Sequence, residues 1–305
     1  MTRHLLTGAE LTADELAGLL DRAAELEADR HASEALAGRS VALVFEKPST
    51  RTRVSFEVGV SELGGTPVVL RGDELQLSRG ESPRDTARVL SRYVAMIGIR
   101  TGDHGPVEEL AAHGDVPVIN MLTRDHHPCQ ALADLLTLRE RFGDLDGLRL
   151  AYVGDGNNVA VSLMVLGAKA GVDVVVACPA ELAPPEAAVE LARAGATGRG
   201  AATVTDDPRA AAAGAHALYT DVWVSMGDDP SVAAGRRAAL GGYRLDEELL
   251  AAARDDAIAL HCLPAHPGEE ISEGVLYGPR SAVWDQAENR LHAQKALMEL
   301  LISGA

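Results

Sequence analysis

Short apolar runs alternate with stretches of helical periodicity, and this alternation constrains the fold more than any other feature of the chain. The first half has runs of strand length at residues 41–45, 67–70, 94–99 and 116–119, with helical stretches near 53–63, 84–93, 107–113 and 128–141. Strands separated by helices are typical of parallel sheets, because parallel neighbours need a long crossover connection. The first half is therefore predicted to be α/β.

A Gly-Asp-Leu-Asp-Gly stretch at 143–147 marks a junction, after which the alternation restarts. Further apolar runs lie at 148–153, 172–178, 203–204, 217–219 and 257–260, and a long helix is predicted over 284–302. Two successive sets of βα units predict two α/β domains, each with a doubly wound parallel sheet.

Composition excludes several classes of protein. A chain of 305 residues with 47% hydrophobic content can bury two cores, and a net charge of −17 argues against binding to nucleic acid or to anionic membranes. No apolar stretch reaches bilayer length, and residues 1–4 lead into a helical pattern rather than a signal peptide. Three widely spaced cysteines fit free thiols in a reducing cytoplasm, so we expect a cytoplasmic protein.

The first helix has a clear start signal. Thr12 and Glu15 have the spacing of a capping box, in which each side chain bonds the backbone N–H of the other residue. An apolar stripe follows at helical spacing, and its members are Leu16, Leu19, Leu20, Ala23 and Leu26.

Unusual polar residues cluster where the predicted strands end, three times in each half. They are Ser49–Arg53, Arg100 and His126–Gln130 in the first half, and Asp155–Asn158, Asp221–Gly227 and His261–Pro264 in the second. Ligands of open parallel sheets bind outside the carboxyl ends of the strands. One cleft between the two domains would explain all six positions.

Residues 49–53 have the character of an anion site. Pro48 ends a strand, and Ser49 is expected to cap the helix that follows, whose free N–H groups and dipole attract negative charge. Thr50, Arg51 and Thr52 add hydroxyl and guanidinium donors suited to phosphate. The alternative is an exposed helix start with solvated arginines.

Three of these motifs together resemble the aspartate/ornithine transcarbamoylase family. They are Ser-Thr-Arg-Thr-Arg at 49–53, His-Pro-Cys-Gln at 127–130 and His-Cys-Leu-Pro at 261–264. Asp-Val-Trp-Val-Ser-Met-Gly at 221–227 is similar to the ornithine enzymes of that family. The resemblance runs from Phe45 to the terminal helix and implies carbamoyl transfer from carbamoyl phosphate to L-ornithine, which gives L-citrulline and phosphate in arginine metabolism.

The resemblance also implies a division of labour. Residues 1–143 would bind carbamoyl phosphate, completed by the terminal helix 285–305 returning to that domain, and residues 144–284 would bind ornithine. The implied carbamoyl phosphate ligands are Ser49, Thr50, Arg51, Thr52, Gln76, Arg100, His127, Gln130, Cys262, Leu263 and Arg290. The implied ornithine ligands are Asn158, Asp221, Ser225 and Met226, and the implied catalytic residues are Arg51, Arg100, His127 and Cys262. A homotrimer is implied as well, with Gln76 reaching a neighbour's site.

Several of the implied site residues also fit other activities or roles. Another transcarbamoylase could accept aspartate, putrescine or an acylated ornithine, but Asp221 and the Ser-Met-Gly at 225–227 argue against this. A regulator that only binds the ligands would be expected to lack catalytic groups, and none is visibly lost. Arg290 could instead be a surface arginine paired with Glu288. Cys262 could be a buried, unreactive thiol.

Metal and nucleotide cofactors are not expected. Zinc could draw on His126, His127, Cys129, His261, Cys262 and His266, but they lack the paired spacing that structural zinc sites use. The turn at 154–159 lacks the third glycine or alanine of a dinucleotide fingerprint, because Val159 occupies that position. Direct attack by an amine on carbamoyl phosphate needs no cofactor and no covalent intermediate.

Overall fold

A computed structural model describes residues 2–76, 80–224 and 230–304. The chain forms two compact units, one made of Met1–Leu136 with Asn289–Ala305 and the other of Thr137–Glu288. It passes from one unit to the other within two helices, α5 (Pro128–Phe142) and α12 (Val283–Ser303). The second unit is therefore an insertion into the first, and the end of α12 belongs to the first unit.

The first unit is built on a four-stranded parallel sheet with the order β2-β1-β3-β4. Its strands are β1 (Ser40–Phe45), β2 (Thr66–Arg71), β3 (Met96–Arg100) and β4 (Val118–Leu122). Its other helices are α1 (Ala13–Ala28), α2 (Arg51–Glu62), α3 (Pro83–Leu90) and α4 (Gly105–His113). The apolar run of β1 is buried from Val41 to Phe45, as expected for a strand covered on both faces.

The second unit is built on a five-stranded parallel sheet with the order β7-β6-β5-β8-β9. Its strands are β5 (Arg149–Val153), β6 (Asp173–Ala177), β7 (Ala201–Thr205), β8 (Ala217–Thr220) and β9 (Ile258–His261). Its helices besides parts of α5 and α12 are α6 (Asn158–Lys169), α7 (Glu186–Ala194), α8 (Pro208–Ala212), α9 (Pro230–Leu240), α10 (Glu247–Ala251) and α11 (Glu273–Leu276). The central helix α6 is buried from Val159 to Lys169.

Two parallel sheets with flanking helices confirm the predicted fold class. Boundaries differ slightly from the sequence expectation. β4 begins at Val118 rather than at residue 116, since Pro117 has no N–H to donate to a neighbouring strand. No described helix is both long enough and apolar enough to cross a membrane.

Strand order places a topological switch point in each sheet. In the first sheet, β2 is added on one side of β1 and β3 on the other, so the strand order reverses between β1 and β3. In the second sheet, the strand order reverses in the same way between β5 and β8. Such points open a crevice at the carboxyl ends of the two strands, where α/β proteins bind ligands. The predicted polar motifs at 49–53 and Arg100 follow or end the first pair of strands, and those at 155–158 and Asp221 follow the second.

The expected cap of α2 by Ser49 is wrong. The N-cap residue is Thr50, one position later, and it makes no side-chain capping hydrogen bond. Its φ of −85° and ψ of −59° are helical, whereas a capping side chain reaches the first-turn N–H groups from an extended residue. By contrast, the capping box of α1 is present as predicted, with Thr12 and Glu15 bonded reciprocally.

These two threonines form a matched pair for a stability measurement, because both occupy N-cap positions and both are exposed. Thr12→Ala should lower the free energy of unfolding by about 1 kcal/mol, since it removes a capping hydrogen bond. Thr50→Ala should change it by less than about 0.5 kcal/mol, because it removes none. Urea unfolding followed by circular dichroism measures both, and equal losses would contradict the assigned caps.

Candidate active site

Two guanidinium groups converge on one hydroxyl in the first unit. Thr52 lies in the first turn of α2 with its side chain buried. Its Oγ1 accepts a hydrogen bond from Arg290 Nη2 at 2.6 Å and another from Arg100 Nη1 at 3.3 Å. Three elements that are distant in sequence, α2, β3 and α12, therefore meet at this oxygen.

The amide of Gln130 extends this cluster on the side of α5. Gln130 Oε1 accepts from Arg290 Nη1 at 3.0 Å, and its Nε2 donates to Asp134 Oδ1 at 2.8 Å. Both partners of the pair on α5 are buried. Asp134 thus fixes which end of the amide faces Arg290. Sequence reasoning missed Asp134, although its spacing of four residues from Gln130 on a helix was the available signal.

Arg290 is only 4% exposed. The alternative of a surface arginine paired with Glu288 is therefore wrong, and the cost of removing the Arg290 charge from water has to be considered. A buried guanidinium needs several acceptors to offset its lost hydration. Thr52 and Gln130 supply acceptors to its two terminal nitrogens.

His127 lies beside this cluster in a buried position just before α5. Burial lowers the pKa of its imidazole well below the usual value, and the positive charges of Arg290 and Arg100 lower it further. The ring is consequently neutral at physiological pH. It can form a directed hydrogen bond without adding a third positive charge to the cluster.

The other predicted residues of the first unit lie at its surface or partly so. Ser49 and Arg51 are half-buried at the start of α2, and Thr50 is exposed. Gln76 is exposed in the loop after β2, where its carbonyl accepts the N–H of Glu81 at 3.1 Å. Among the described contacts, none joins these four side chains to Thr52 or Gln130. Their predicted roles in ligand binding stay predictions.

In the second unit the turn after β5 holds an asparagine that sequence reasoning did not select. Asn157 is the N-cap of α6, and its Oδ1 accepts the N–H groups of Val159 at 2.9 Å and Ala160 at 3.2 Å. Its Nδ2 donates to Asp221 Oδ2 at 2.8 Å. The predicted ligand Asn158 is the next residue, half-buried at the first position of the helix.

Asp221 follows β8 and is held by three neutral donors. Besides Asn157, its Oδ1 accepts from the N–H of Val222 at 2.8 Å and from Cys262 Sγ at 2.9 Å. The structure thus brings two predicted residues, Asp221 and Cys262, into contact. A carboxylate held in this way suits an ammonium group. The predicted Ser225 and Met226 lie outside the described residues.

The His-Cys-Leu-Pro segment is anchored through His261. Its Nδ1 accepts the N–H of Leu263 at 2.8 Å, and its Nε2 lies 3.2 Å from Glu270 Oε1, with both side chains buried. Burial raises the pKa of the Glu270 carboxyl, but hydrogen bonds from His261 and from backbone N–H groups outweigh this effect and lower the pKa overall. The anchored segment carries Cys262 toward Asp221.

Among the described residues, Asp221, His261 and Cys262 place potential metal-ligand atoms within 4.8 Å of one another. Both ring nitrogens of His261 are engaged, one by Leu263 and the other by Glu270. A metal ion would have to displace one of these bonds. Cys129 is also a possible zinc ligand by residue type, but it is buried, and burial raises its thiol pKa to about 12, which disfavours the thiolate that zinc binds.

The glycine-rich turn after β5 is shaped by the chain itself. A Cβ added at Gly156 would lie 2.4 Å from Pro184 and 2.6 Å from the Leu182 carbonyl oxygen. Chain packing therefore explains this glycine, whereas in a dinucleotide fold the second glycine makes room for pyrophosphate. An ion pair between Asp155 and Arg236 closes the same turn.

Both halves of the chain match known family models. Residues 3–140 match the family model described as the carbamoyl-P binding domain of aspartate/ornithine carbamoyltransferase, and residues 146–301 match its Asp/Orn binding domain. An ornithine carbamoyltransferase of Acidothermus cellulolyticus is 60% identical over 100% of this chain and 98% of its own length. One from Parafrankia sp. is 56% identical over 98% of this chain and 96% of its own length.

The fold is also similar to solved structures. Ornithine carbamoyltransferase from Pyrococcus furiosus superposes with a TM-score of 0.95 at 46% identity, covering 100% of this chain and 98% of that one. An anabolic ornithine carbamoyltransferase from Campylobacter jejuni superposes with a TM-score of 0.92 at 33% identity, covering 99% of this chain and 100% of that one.

Thr52→Val tests whether the shared hydroxyl holds the first-unit cluster together. The change conserves shape but removes the acceptor of two guanidinium groups, so the free energy of unfolding should fall by about 1–3 kcal/mol. Thr86→Val is the matched control, because Thr86 is also buried and no described group bonds its hydroxyl. Urea denaturation should find the control unchanged or slightly more stable. An unchanged Thr52→Val protein would contradict the importance of this oxygen.

Proposed function

The chain belongs to the aspartate/ornithine carbamoyltransferase family, and we propose that it transfers the carbamoyl group of carbamoyl phosphate to L-ornithine, which yields L-citrulline and phosphate. The observation that carries the proposal is the pair of guanidinium groups gathered on the Thr52 hydroxyl beside the start of α2. A chain of net charge −17 repels a phosphate unless positive charge is concentrated locally.

Carbamoyl phosphate binding is assigned to the first unit. The proposed ligands there are Ser49, Thr50, Arg51, Thr52, Gln76, Arg100, His127, Gln130 and Arg290. The support is physical: guanidinium groups bind phosphate oxygens through paired N–H donors, and the free N–H groups of an uncapped helix start add further donors. Arg51, Arg100 and Arg290 would stabilise the leaving phosphate as negative charge moves onto it.

A neutral His127 fits a role at the carbamoyl carbonyl. As the amine attacks, negative charge develops on the carbonyl oxygen, and a preorganised N–H donor stabilises it. Because burial and the two arginines keep the ring neutral, His127 would act as a hydrogen-bond donor rather than as an acid that titrates near neutral pH. The guanidinium groups of the arginines would supply the positive charge that faces the same oxygen.

Ornithine binding is assigned to Asn158, Asp221, Ser225 and Met226, with Asp221 as the partner of the substrate's ammonium group. The side-chain amine of ornithine attacks in its neutral form. A bond forms between that nitrogen and the carbamoyl carbon, the bond from this carbon to the phosphate oxygen breaks, and the proton that the amine loses passes to the departing phosphate. No oxidant, metal or nucleotide enters this balance.

Cys262 is proposed to tune the ornithine amine without becoming carbamoylated. Its thiol donates to Asp221 Oδ1, so it belongs to the polar set around that carboxylate. Direct attack by the amine needs no covalent intermediate, and holding both substrates in place supplies much of the rate.

The oligomeric state and the cellular compartment of the protein are two further proposals. We propose a homotrimer in which Gln76 reaches a neighbour's site, supported by the exposed apolar side chains Val54, Val89 and Tyr93 on the first unit. A particle near three times the 32.0 kDa chain mass in light scattering would support it. Three free cysteines support a reducing cytoplasm, and the product supports a place in arginine biosynthesis.

The direct test is an acceptor panel. Purified protein with carbamoyl phosphate should form a carbamoylated product with L-ornithine at least about 10²-fold faster than with putrescine, L-aspartate or N-acetylornithine, because a charged site discriminates strongly against substrates that lack the matching polar group. Citrulline is measured colorimetrically and by mass spectrometry. Preference for another amine would overturn the ornithine assignment while leaving carbamoyl transfer intact.

Arg51→Ala should lower turnover by at least about 10²-fold while the protein stays folded, the scale expected for removing a donor to the transition state. Arg53→Ala is the matched control, since Arg53 lies on the same helix and pairs with Glu57 at the surface. It should retain near-normal turnover. Similar activity of the two variants would refute the phosphate role of Arg51.

A further inference from the structure

The second unit brings the Asp221 carboxylate into contact with the Cys262 thiol, and Asn157 donates a hydrogen bond to the same carboxylate. We infer that Asn157 is a positioning residue that fixes the Asp221 carboxylate for the ammonium group of the amino-acid substrate. The inference rests on the proposed function and deepens it. It concerns a residue distinct from the neighbouring asparagine, Asn158, that was proposed to touch the substrate.

The orientation of the Asn157 amide is determined by its surroundings. Its Oδ1 accepts from two backbone N–H groups, those of Val159 and Ala160, and from the hydroxyl of Tyr152 at 3.2 Å. Turning the amide over would place its NH₂ group against three donors. Nδ2 must therefore face Asp221, to which it donates at 2.8 Å.

Three donors occupy defined positions on the Asp221 carboxylate. Oδ1 accepts from the N–H of Val222 and from Cys262 Sγ, whereas Oδ2 accepts from Asn157 alone among the described residues. A carboxylate offers about four acceptor sites. The remaining one lies on Oδ2, the oxygen whose direction Asn157 sets. We assign this oxygen to the substrate ammonium.

Asn157 is itself held by a buried aromatic pair. Tyr152, which donates to Asn157, stacks on Tyr219 with ring centroids 5.6 Å apart. Burial raises the pKa of the Tyr152 hydroxyl well above its usual value, and the charge of Asp221 adds to the effect, so the hydroxyl stays a donor. Gln286 donates to the Tyr219 hydroxyl at 3.1 Å and accepts the His261 N–H at 2.9 Å. These contacts connect His261, which precedes Cys262, with Asn157, which bonds Asp221.

A purely structural reading also exists, since Asn157 caps α6. Two substitutions separate the roles. Asn157→Ser keeps a good cap, because a serine hydroxyl accepts first-turn N–H bonds as well as asparagine does. Its side chain ends one bond short of Nδ2 and cannot reach Asp221. Asn157→Ala removes both the cap and the donor.

The experiment measures KM for ornithine, KM for carbamoyl phosphate, kcat and urea unfolding in both variants. We expect KM for ornithine to rise by about 10-fold or more in both, the loss typical of a hydrogen bond to a charged group. KM for carbamoyl phosphate should not change. Both variants lose the acceptor of the Tyr152 hydroxyl, and Asn157→Ala, which also loses the cap, should be the less stable of the two.

Asp246→Ala supplies the matched control for capping. Asp246 caps α10 through the N–H of Leu249 at 2.9 Å, and its removal should lower stability while leaving KM for ornithine unchanged. An Asn157→Ser protein with unchanged KM for ornithine would overturn the inference and leave the proposed function standing. A native protein that forms no citrulline would overturn both.

Discussion

The shared hydroxyl of Thr52 is the contact on which the first unit depends. Two positively charged groups, Arg100 and Arg290, lie close enough to donate to the same oxygen, and they repel each other there. A guanidinium group that leaves water loses hydration energy, which a neutral hydroxyl offsets only in part. An anion placed between the two guanidinium groups would relieve this repulsion. The neutral amide of Gln130 and the neutral ring of His127 complete the cluster without increasing the repulsion.

The second unit holds a negative group with neutral partners, as the first unit holds positive groups with neutral partners. Asp221 is a negative group at the carboxyl end of β8, and its described partners are an amide, a backbone N–H and a thiol. Neutral donors hold the carboxylate in place without cancelling its charge, which stays available for an ammonium group. A salt bridge to a protein arginine would have removed that charge from use. The pairing of Arg236 with Asp155, on the preceding turn, keeps the nearby guanidinium occupied elsewhere.

Much of this could be predicted from the sequence. The apolar run at 41–45 is a buried strand because both faces of the sheet are covered there, whereas the run at 67–70 forms the partly exposed edge strand β2. Polar residues at strand ends mark the switch points. The capping box of α1 was readable because it involves two residues three positions apart. Local patterns failed where local geometry had alternatives: Ser49 is a residue type that often caps helices, but the N-cap position falls on Thr50, so α2 starts one residue later than expected.

Contacts between distant residues could not be read from periodicity. Arg290 lies 238 positions from the hydroxyl it contacts, and only resemblance to a family indicated its place. The sequence also could not show which of the adjacent residues Asn157 and Asn158 caps α6, because helix boundaries cannot be predicted to a single residue. The residue at the N-cap turns its side chain back onto the helix, whereas the next residue begins the helix and does not cap it. The position of the helix start therefore decides which of the two asparagines caps α6, and the one that does, Asn157, also reaches Asp221.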